Sequence, residues 1–476
     1  MAEVFPLYLA GEWRETAEKL EDRNPFDGSL LGLVCQAGES EAELAVREAM
    51  EAAESLRDLP AYRRAEILLR VASSLSQEKE AFVDLMSREA GIPRFFTGME
   101  VERAIHTLTT AAEEAKRIGG EVIPLDLLRG SERRWAFTRR VPLGPVLGIT
   151  PFNFPLNLVL HKLAPAIAAG DPVIIKPSPH TPCTALRLAQ LFEEAGLPKG
   201  ALSVLPARVE VAERLVRDDR LRLVSFTGSA AVGWYLKSIA GRKKVVLELG
   251  GNAGVIVHSD APDLEYAAQR IAIGAFGSAG QVCISVQRIF VHRPIYDDFK
   301  ARLIRASQAL PVGDPLDPAT RVGPMIDSAN LQRVATWVGN AVKKGATVLL
   351  GGRAEPPFYL PTLLEGVDHS CEVYAEEVFG PVAVIEPYNR FQEAIALVND
   401  SRFGLQAGVF TADIRNLLLA ADRLEVGGVI WNDVPTYRVD HMPYGGVKES
   451  GFGREGLRWA IEEMTELKLV VVNPSV

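Results

Sequence analysis

Leu223-Val224-Ser225-Phe226-Thr227-Gly228-Ser229-Ala230-Ala231-Val232-Gly233 reads as a short strand, a Gly-Ser turn and the opening of a helix. The same texture recurs on both sides. Short apolar runs at 146–149, 173–175, 203–205 and 245–249 alternate with helical patterns, which argues for an α/β fold built on a parallel, doubly wound sheet. A strand-to-helix turn of this kind offers N–H groups and a hydroxyl to a pyrophosphate. Taken alone it is a weak signal, and no G-x-G-x-x-G fingerprint follows a strand.

A second series of candidate strands follows Gly250-Gly251, at 255–257, 288–291, 347–350, 382–385, 408–410 and 429–432. Helical stretches near 263–275, 295–310, 328–344, 391–400 and 414–423 lie between them, so two α/β domains joined near residue 250 are expected. Upstream, Ser40-Glu41-Ala42-Glu43 reads as a capping box opening a helix to about Leu56, and further helical patterns fill 61–118. Two pieces fit neither domain: 121–140, and the apolar end Leu467-Lys468-Leu469-Val470-Val471-Val472. The latter has no hairpin partner nearby; it either closes its own domain or offers an edge to another chain.

The chain has 476 residues, 47% hydrophobic and 24% charged, and a net charge of -9, which is the balance of a globular protein of two or three domains. No basic stripe with interleaved aromatics is present, so nucleic acid is not an expected partner. Met1-Ala2-Glu3-Val4-Phe5-Pro6 lacks a basic, then apolar, leader, and no apolar run approaches the ~18 residues of a membrane span. Four scattered cysteines, Cys35, Cys183, Cys283 and Cys371, suggest a reducing cytoplasm and no structural metal.

Cys283 stands out among them. It sits in Phe276-Gly277-Ser278-Ala279-Gly280-Gln281-Val282-Cys283-Ile284-Ser285-Val286-Gln287-Arg288, between a glycine-rich approach and a strand-like run. Upstream, Val245-Val246-Leu247-Glu248-Leu249 places a carboxylate among apolar neighbours. A thiol and an acid of raised pKa can trap a carbonyl and hydrolyse the resulting thioester. For a lone cysteine the plainer reading is a small buried hydrophobe, and for a lone glutamate a structural ion pair.

These segments, with Thr150-Pro151-Phe152-Asn153-Phe154-Pro155, Phe226-Thr227-Gly228-Ser229, Glu376-Glu377-Val378-Phe379-Gly380-Pro381 and Pro443-Tyr444-Gly445-Gly446-Val447-Lys448-Glu449-Ser450-Gly451, resemble the aldehyde dehydrogenase superfamily, in its order, from about residue 8 to the C-terminus. The resemblance implies a dinucleotide-binding domain at 1–120 and 141–250, and a catalytic domain at 251–430. It also implies an oligomerisation segment at 121–140 and 465–476, and a substrate-pocket loop returning to the first domain at 431–464. A homodimer or homotetramer is implied with them.

By the same resemblance Cys283 is the nucleophile, Glu248 the general base, and Asn153 the oxyanion donor together with the Cys283 N–H. Ser229 faces the pyrophosphate, Lys176 the adenosine ribose and Glu377 the nicotinamide ribose, with Phe379 packing beside it; Phe152, Ser178, Thr227, Gly228 and Gly250 complete the cofactor site. NAD-preferring relatives often carry a Glu where Pro179 stands in Lys176-Pro177-Ser178-Pro179-His180. NAD or NADP is therefore expected, with a slight lean to NAD.

The matching substrate positions are Phe154, Asn157, Leu158, His161, Val282, Ile284, Tyr437 and Arg438. Unpaired Asn, His and Arg would penalise an alkyl chain, favouring a small polar aldehyde of the lactaldehyde or semialdehyde kind. The alternative pairs Arg438 with Asp440 and packs His161. The branch of non-phosphorylating glyceraldehyde-3-phosphate dehydrogenases commonly has Arg where Val282 stands. Glu248 argues against a CoA-acylating enzyme, and Cys283 with Glu248 against a catalytically silent binding protein on the same scaffold.

Overall fold

The computed structural model describes residues 3–473; Met1 and Ala2 of the N-terminal reading and positions 474–476 of the expected oligomerisation segment lie outside them. Among the described residues, two large sheets of eight and seven strands carry the chain. Five parallel strands form the centre of the first, in the order Lys244–Glu248, Leu223–Thr227, Val146–Ile149, Val173–Lys176, Leu202–Val204. All five were legible in the sequence, with ends shifted by a residue or two. The antiparallel edges, Gly451–Phe452 on one side and Leu7–Leu9 with Glu12–Arg14 on the other, were not. Strands of two or three residues carry no readable period.

The chain winds outward from Val146–Ile149 in one direction and resumes on its other side with Leu223–Thr227. Strand order reverses between these two, and the crevice beyond their carboxyl ends is where open α/β sheets take ligands.

In the second sheet the order is Thr347–Leu350, Thr362–Glu365, Val382–Tyr388, Val286–His292, Ala253–Val257, Gln406–Phe410, Gly428–Trp431, parallel except for the first pair. Thr362–Glu365 was absent from the sequence reading because it is short and preceded by Pro361. The first expected helix spans Glu39–Asp58, and its cap is Gly38 rather than Ser40: Glu41 Oε2 accepts the Gly38 N–H at 2.8 Å.

Apolar clusters cover both faces of each sheet. Helix Asn157–Ala169 is buried along its whole length, and Leu160, Leu163 and Ile167 are at most 1% exposed. Each such side chain contributes about 1.5–3 kcal/mol of hydrophobic stabilisation. Glu100 fixes its start by accepting the N–H groups of Leu156 and Asn157, both at 2.9 Å.

The two unassigned pieces pair with each other. Thr465–Val472 runs antiparallel to Trp135–Pro142, from Thr465 opposite Pro142 to Val472 opposite Trp135, and Val122–Pro124 adds a third strand. Thr465–Val472 is an outer strand of this sheet, with Leu467, Leu469 and Val471 exposed.

Candidate active site

Glu248 closes a strand of the first sheet at its carboxyl end, and Cys283 lies three residues before Val286–His292, at the amino end of a second-sheet strand. The two sheets therefore present their chain ends to each other. Ser278, Ala279 and Gly280 lead to the cysteine through left-handed backbone, φ 53°, 54° and 64°. For Ser and Ala that conformation costs on the order of 1 kcal/mol each. Fixed partners hold it. Ser278 N–H donates to Arg321 O at 2.9 Å, and the Gln281 side chain bonds Pro324 O at 3.3 Å and the Ile326 N–H at 3.0 Å.

Cys283 is half-buried, whereas Cys35, Cys183 and Cys371 are fully buried. Its thiol packs among Val282, Ile284, Leu405, Met442 and Tyr444, and its Sγ is 3.2 Å from Tyr444 Oη. Burial pushes the thiol up to about 11, against the Tyr444 hydrogen bond and the Arg438 charge. Asn153 is tied to the nucleophile loop, its Nδ2 donating to Gln281 O at 3.0 Å. A carboxamide has a second N–H, and among the described residues the Cys283 N–H has no acceptor. These two donors can meet an oxyanion at the thiol.

Glu248 is 3% exposed, and among the described residues neither of its oxygens has a hydrogen-bond partner. Desolvation first, then the Glu455 charge, raises its pKa well above the carboxylate range, opposed by Arg438 and Lys162. That is the condition for a base which gives up its proton only at higher pH.

The expected polar pocket is organised differently from the sequence reading. Arg438 Nη2 donates to Glu455 Oε2 at 3.1 Å and to His161 Nδ1 at 3.0 Å, and Lys162 Nζ holds Glu455 Oε1 at 3.1 Å. Asp440 accepts from His161 at 2.8 Å, from Asn157 Nδ2 at 3.0 Å, and bidentately from Arg103 at 2.7 and 3.1 Å. Arg438 thus pairs with Glu455, not Asp440, and only its Nε is buried without a partner. The argument from unpaired Asn, His and Arg side chains fails, because these groups satisfy one another. Phe154 lies beneath the Arg103 guanidinium at 5.8 Å, Leu158 and Ile284 are buried, and Tyr437 is exposed.

The candidate cofactor residues ring the crevice. Lys176 is 9% exposed and has no bonded partner among the described residues; desolvation lowers it to about 8. A buried ammonium in want of an acceptor suits a ribose. Ser229 caps helix Ala230–Ile239 without using its hydroxyl, which leaves that group and the helix N-terminus available to a pyrophosphate. Glu377 gives one oxygen to the Gly251 N–H at 3.0 Å, and burial raises its pKa to about 7. A Cβ on Gly250 would fall 2.2 Å from its other oxygen. Phe152 meets both Phe379 and His180 edge to face, each at 5.8 Å. Ser178 Oγ accepts the His180 N–H at 3.2 Å, while the Thr227 hydroxyl is taken by Lys162 at 2.6 Å. A Cβ on Gly228 would strike the Phe226 ring at 2.5 Å. The residue set fits a dinucleotide.

Several positioning groups were missed in the sequence. Lys162 and Glu455 are buried partners 293 positions apart; the readable signal was a lysine beside His161 in the mostly apolar run of helix Asn157–Ala169. Gln287 holds the loop of Glu377, bonding Val373 O at 3.0 Å, Glu376 O at 2.6 Å and the Val378 N–H at 3.0 Å. The cation closing the nucleophile run, Arg288, is spent on backbone carbonyls of Asn252, Leu397, Val398 and Asp400.

Known proteins resemble the chain over nearly its whole length. The model of the aldehyde dehydrogenase family matches residues 13–470. A 3-sulfolactaldehyde dehydrogenase from Priestia aryabhattai is 48% identical over 470 residues, 98% of either chain. Aldehyde dehydrogenase 21 from Physcomitrella patens, solved with the reaction product succinate, superposes with a TM-score of 0.98 at 39% identity, covering 100% of this chain and 99% of that one. The glyceraldehyde-3-phosphate dehydrogenase GapN from Methanocaldococcus jannaschii, solved with NADP, gives 0.92 at 38% identity, covering 96% and 99%.

Proposed function

The chain belongs to the aldehyde dehydrogenase family, and from that premise we propose that it oxidises a short polar or anionic aldehyde to the carboxylate through a Cys283 thioester. The carrying observation is the tie between Asn153 and Gln281, which holds an amide donor beside the loop of a half-buried thiol. Attack by the Cys283 thiolate places the new oxyanion against the Asn153 amide and the Cys283 N–H. When bound, the nicotinamide ring of the dinucleotide accepts hydride. Glu248, unpartnered and of raised pKa, then draws a proton from the water that hydrolyses the thioester.

The substrate class follows from charge. Around the site three cations, Lys162, Arg103 and Arg438, face two carboxylates, Asp440 and Glu455, and burial disfavours the charged form of Glu248. His161 aside, one positive charge is left over. An aldehyde bearing hydroxyl, carboxylate or sulfonate suits that balance better than an alkyl chain, and a relative of this chain acts on 3-sulfolactaldehyde. With no acidic residue at position 179, either dinucleotide is accommodated, NAD modestly favoured. The exposed strand Thr465–Val472 would join a second copy, giving a homodimer or homotetramer in the cytoplasm. The two large sheets would divide the work, 1–120 with 141–250 binding the dinucleotide and 251–430 supplying the thiol.

The test is the initial rate of NAD and NADP reduction, without CoA, on lactaldehyde, 3-sulfolactaldehyde, succinic semialdehyde, glyceraldehyde 3-phosphate and hexanal, with Cys283→Ala as blank. Turnover of the polar aldehydes that vanishes in the variant is expected. Hexanal as best substrate would overturn the charge argument, and a strict need for CoA would overturn hydrolysis.

A further inference from the structure

We propose that the Tyr444 hydroxyl is a catalytic hydrogen-bond donor to the Cys283 sulfur, easing the ionisation that precedes attack on the aldehyde, and that Arg438 polarises it for this task. The inference rests on the reading of Cys283 as the nucleophile. Oη and Sγ are 3.2 Å apart, and among the described residues neither atom has another hydrogen-bond partner. The ring cannot swing away freely: Tyr444 is 3% exposed, and its backbone pairs with Glu455 in both directions, at 3.0 and 2.7 Å. Phenylalanine would fill the same apolar cluster. A buried hydroxyl costs free energy unless it is bonded, and the nucleophile is its one partner.

The direction of the bond follows from protonation. Burial raises the Tyr444 phenol well above its usual range. Once Cys283 ionises, the phenol holds the pair's remaining proton and must be the donor. The Arg438 guanidinium lies 3.6 Å from the centre of the Tyr444 ring. A cation on the ring face withdraws density from the hydroxyl and favours a nearby anion. Glu455 and His161 anchor that guanidinium, at 3.1 and 3.0 Å. This accounts for an arginine that is buried at the site with its Nη2 committed to His161 and Glu455. Cys283 has neither a helix N-terminus nor a bonded imidazole, the commoner means of stabilising a thiolate, so the phenol supplies what they would.

The experiment is alkylation of the full chain by iodoacetamide from neutral to alkaline pH, with Cys283 occupancy read by peptide mass. Wild type, Tyr444→Phe and protein with 3-fluorotyrosine at position 444 are compared. Tyr444→Phe should move the titration midpoint up by about one pH unit, about tenfold slower alkylation at neutral pH, with the aldehyde KM little changed. Fluorination, which strengthens the donor without changing its shape, should move the midpoint down. A Phe variant that titrates like wild type, or two variants shifted the same way, overturns the proposal. Should the Phe variant fail to fold, shown by loss of cofactor-induced fluorescence quenching, the fluorinated protein decides: a midpoint that does not fall overturns it. Aldehyde oxidation surviving in Cys283→Ala would instead overturn the nucleophile assignment.

Discussion

His161 Nε2 stands 2.8 Å from Asp440 Oδ1, joining helix Asn157–Ala169 to a loop 279 positions away. Burial alone would raise the pKa of Asp440, but the His161 hydrogen bond and the Arg103 charge outweigh it and hold the carboxyl well below its usual range. Asp440→Asn keeps the shape and removes the charge from a group that also serves Asn157 and Arg103. Breaking a buried pair of this kind costs about 3–5 kcal/mol. We expect a lower urea midpoint by that measure and a raised aldehyde KM; an unchanged midpoint would show the network to be ornamental.

Glu248→Gln should leave hydride transfer intact and stall hydrolysis. The expected record is a burst of reduced dinucleotide near one equivalent, then steady turnover reduced by about 10²–10⁴. In the wild type the hydrolytic rate should rise with pH, because a carboxyl of raised pKa serves as a base only as it loses its proton. Rapid-quench kinetics with mass detection of the acyl enzyme decide the point; loss of the burst itself would assign Glu248 to the first half-reaction.

Glu100 carries a pH signature in stability. Burial raises it from 4.5 to about 7, opposed by the hydrogen bonds from Asn157 and Leu156. A folded pKa above the unfolded one means that its contribution is complete below the unfolded value and is lost as pH rises through the folded value. Glu100→Gln keeps an acceptor oxygen without that titration. Relative to wild type it should gain stability between mildly acidic and mildly alkaline pH by about 3 kcal/mol, read from urea unfolding. A difference that does not vary with pH would refute the shift.

Leu469→Lys tests the assembly. It places a charge in the middle of the exposed strand Thr465–Val472, opposite Thr138 of its own sheet. Light scattering should show a smaller particle than wild type, with each chain still folded. An unchanged mass would move the interface elsewhere.

What the sequence disclosed was local. Cys283 and Glu248 stand out through the few residues around them, because a strand end or a glycine-rich approach is a short-range pattern, whereas Lys176 entered only through the family resemblance. The cap at Gly38 was misread as Ser40 because both precede an acid that could close the box, and only backbone geometry separates them. Arg438 was expected to line a substrate pocket; its pairing with Glu455 and its place against the Tyr444 ring were not legible. Those contacts depend on how a late loop lies on a helix begun near residue 157, which no window of sequence contains. Tyr444 stood in a quoted motif, yet its hydroxyl acquires meaning only once the thiol is 3.2 Å away.

The late loop also sets an order of events. Arg438, Asp440, Tyr444 and Glu455, with the strand that covers Trp135–Pro142, all come from the last tenth of the chain. On a ribosome, where a chain emerges amino end first, His161 and Lys162 are made long before the carboxylates they bond, Asp440 and Glu455. Until those residues emerge, Lys162 lacks its counter-ion Glu455, Cys283 the phenol of Tyr444, and Trp135–Pro142 its covering strand. Chain order thus makes the site a late product of folding: it is completed only once residues 438–455 have joined the helix that carries Lys162, and the edge of Trp135–Pro142 stays open until 465–472 follow.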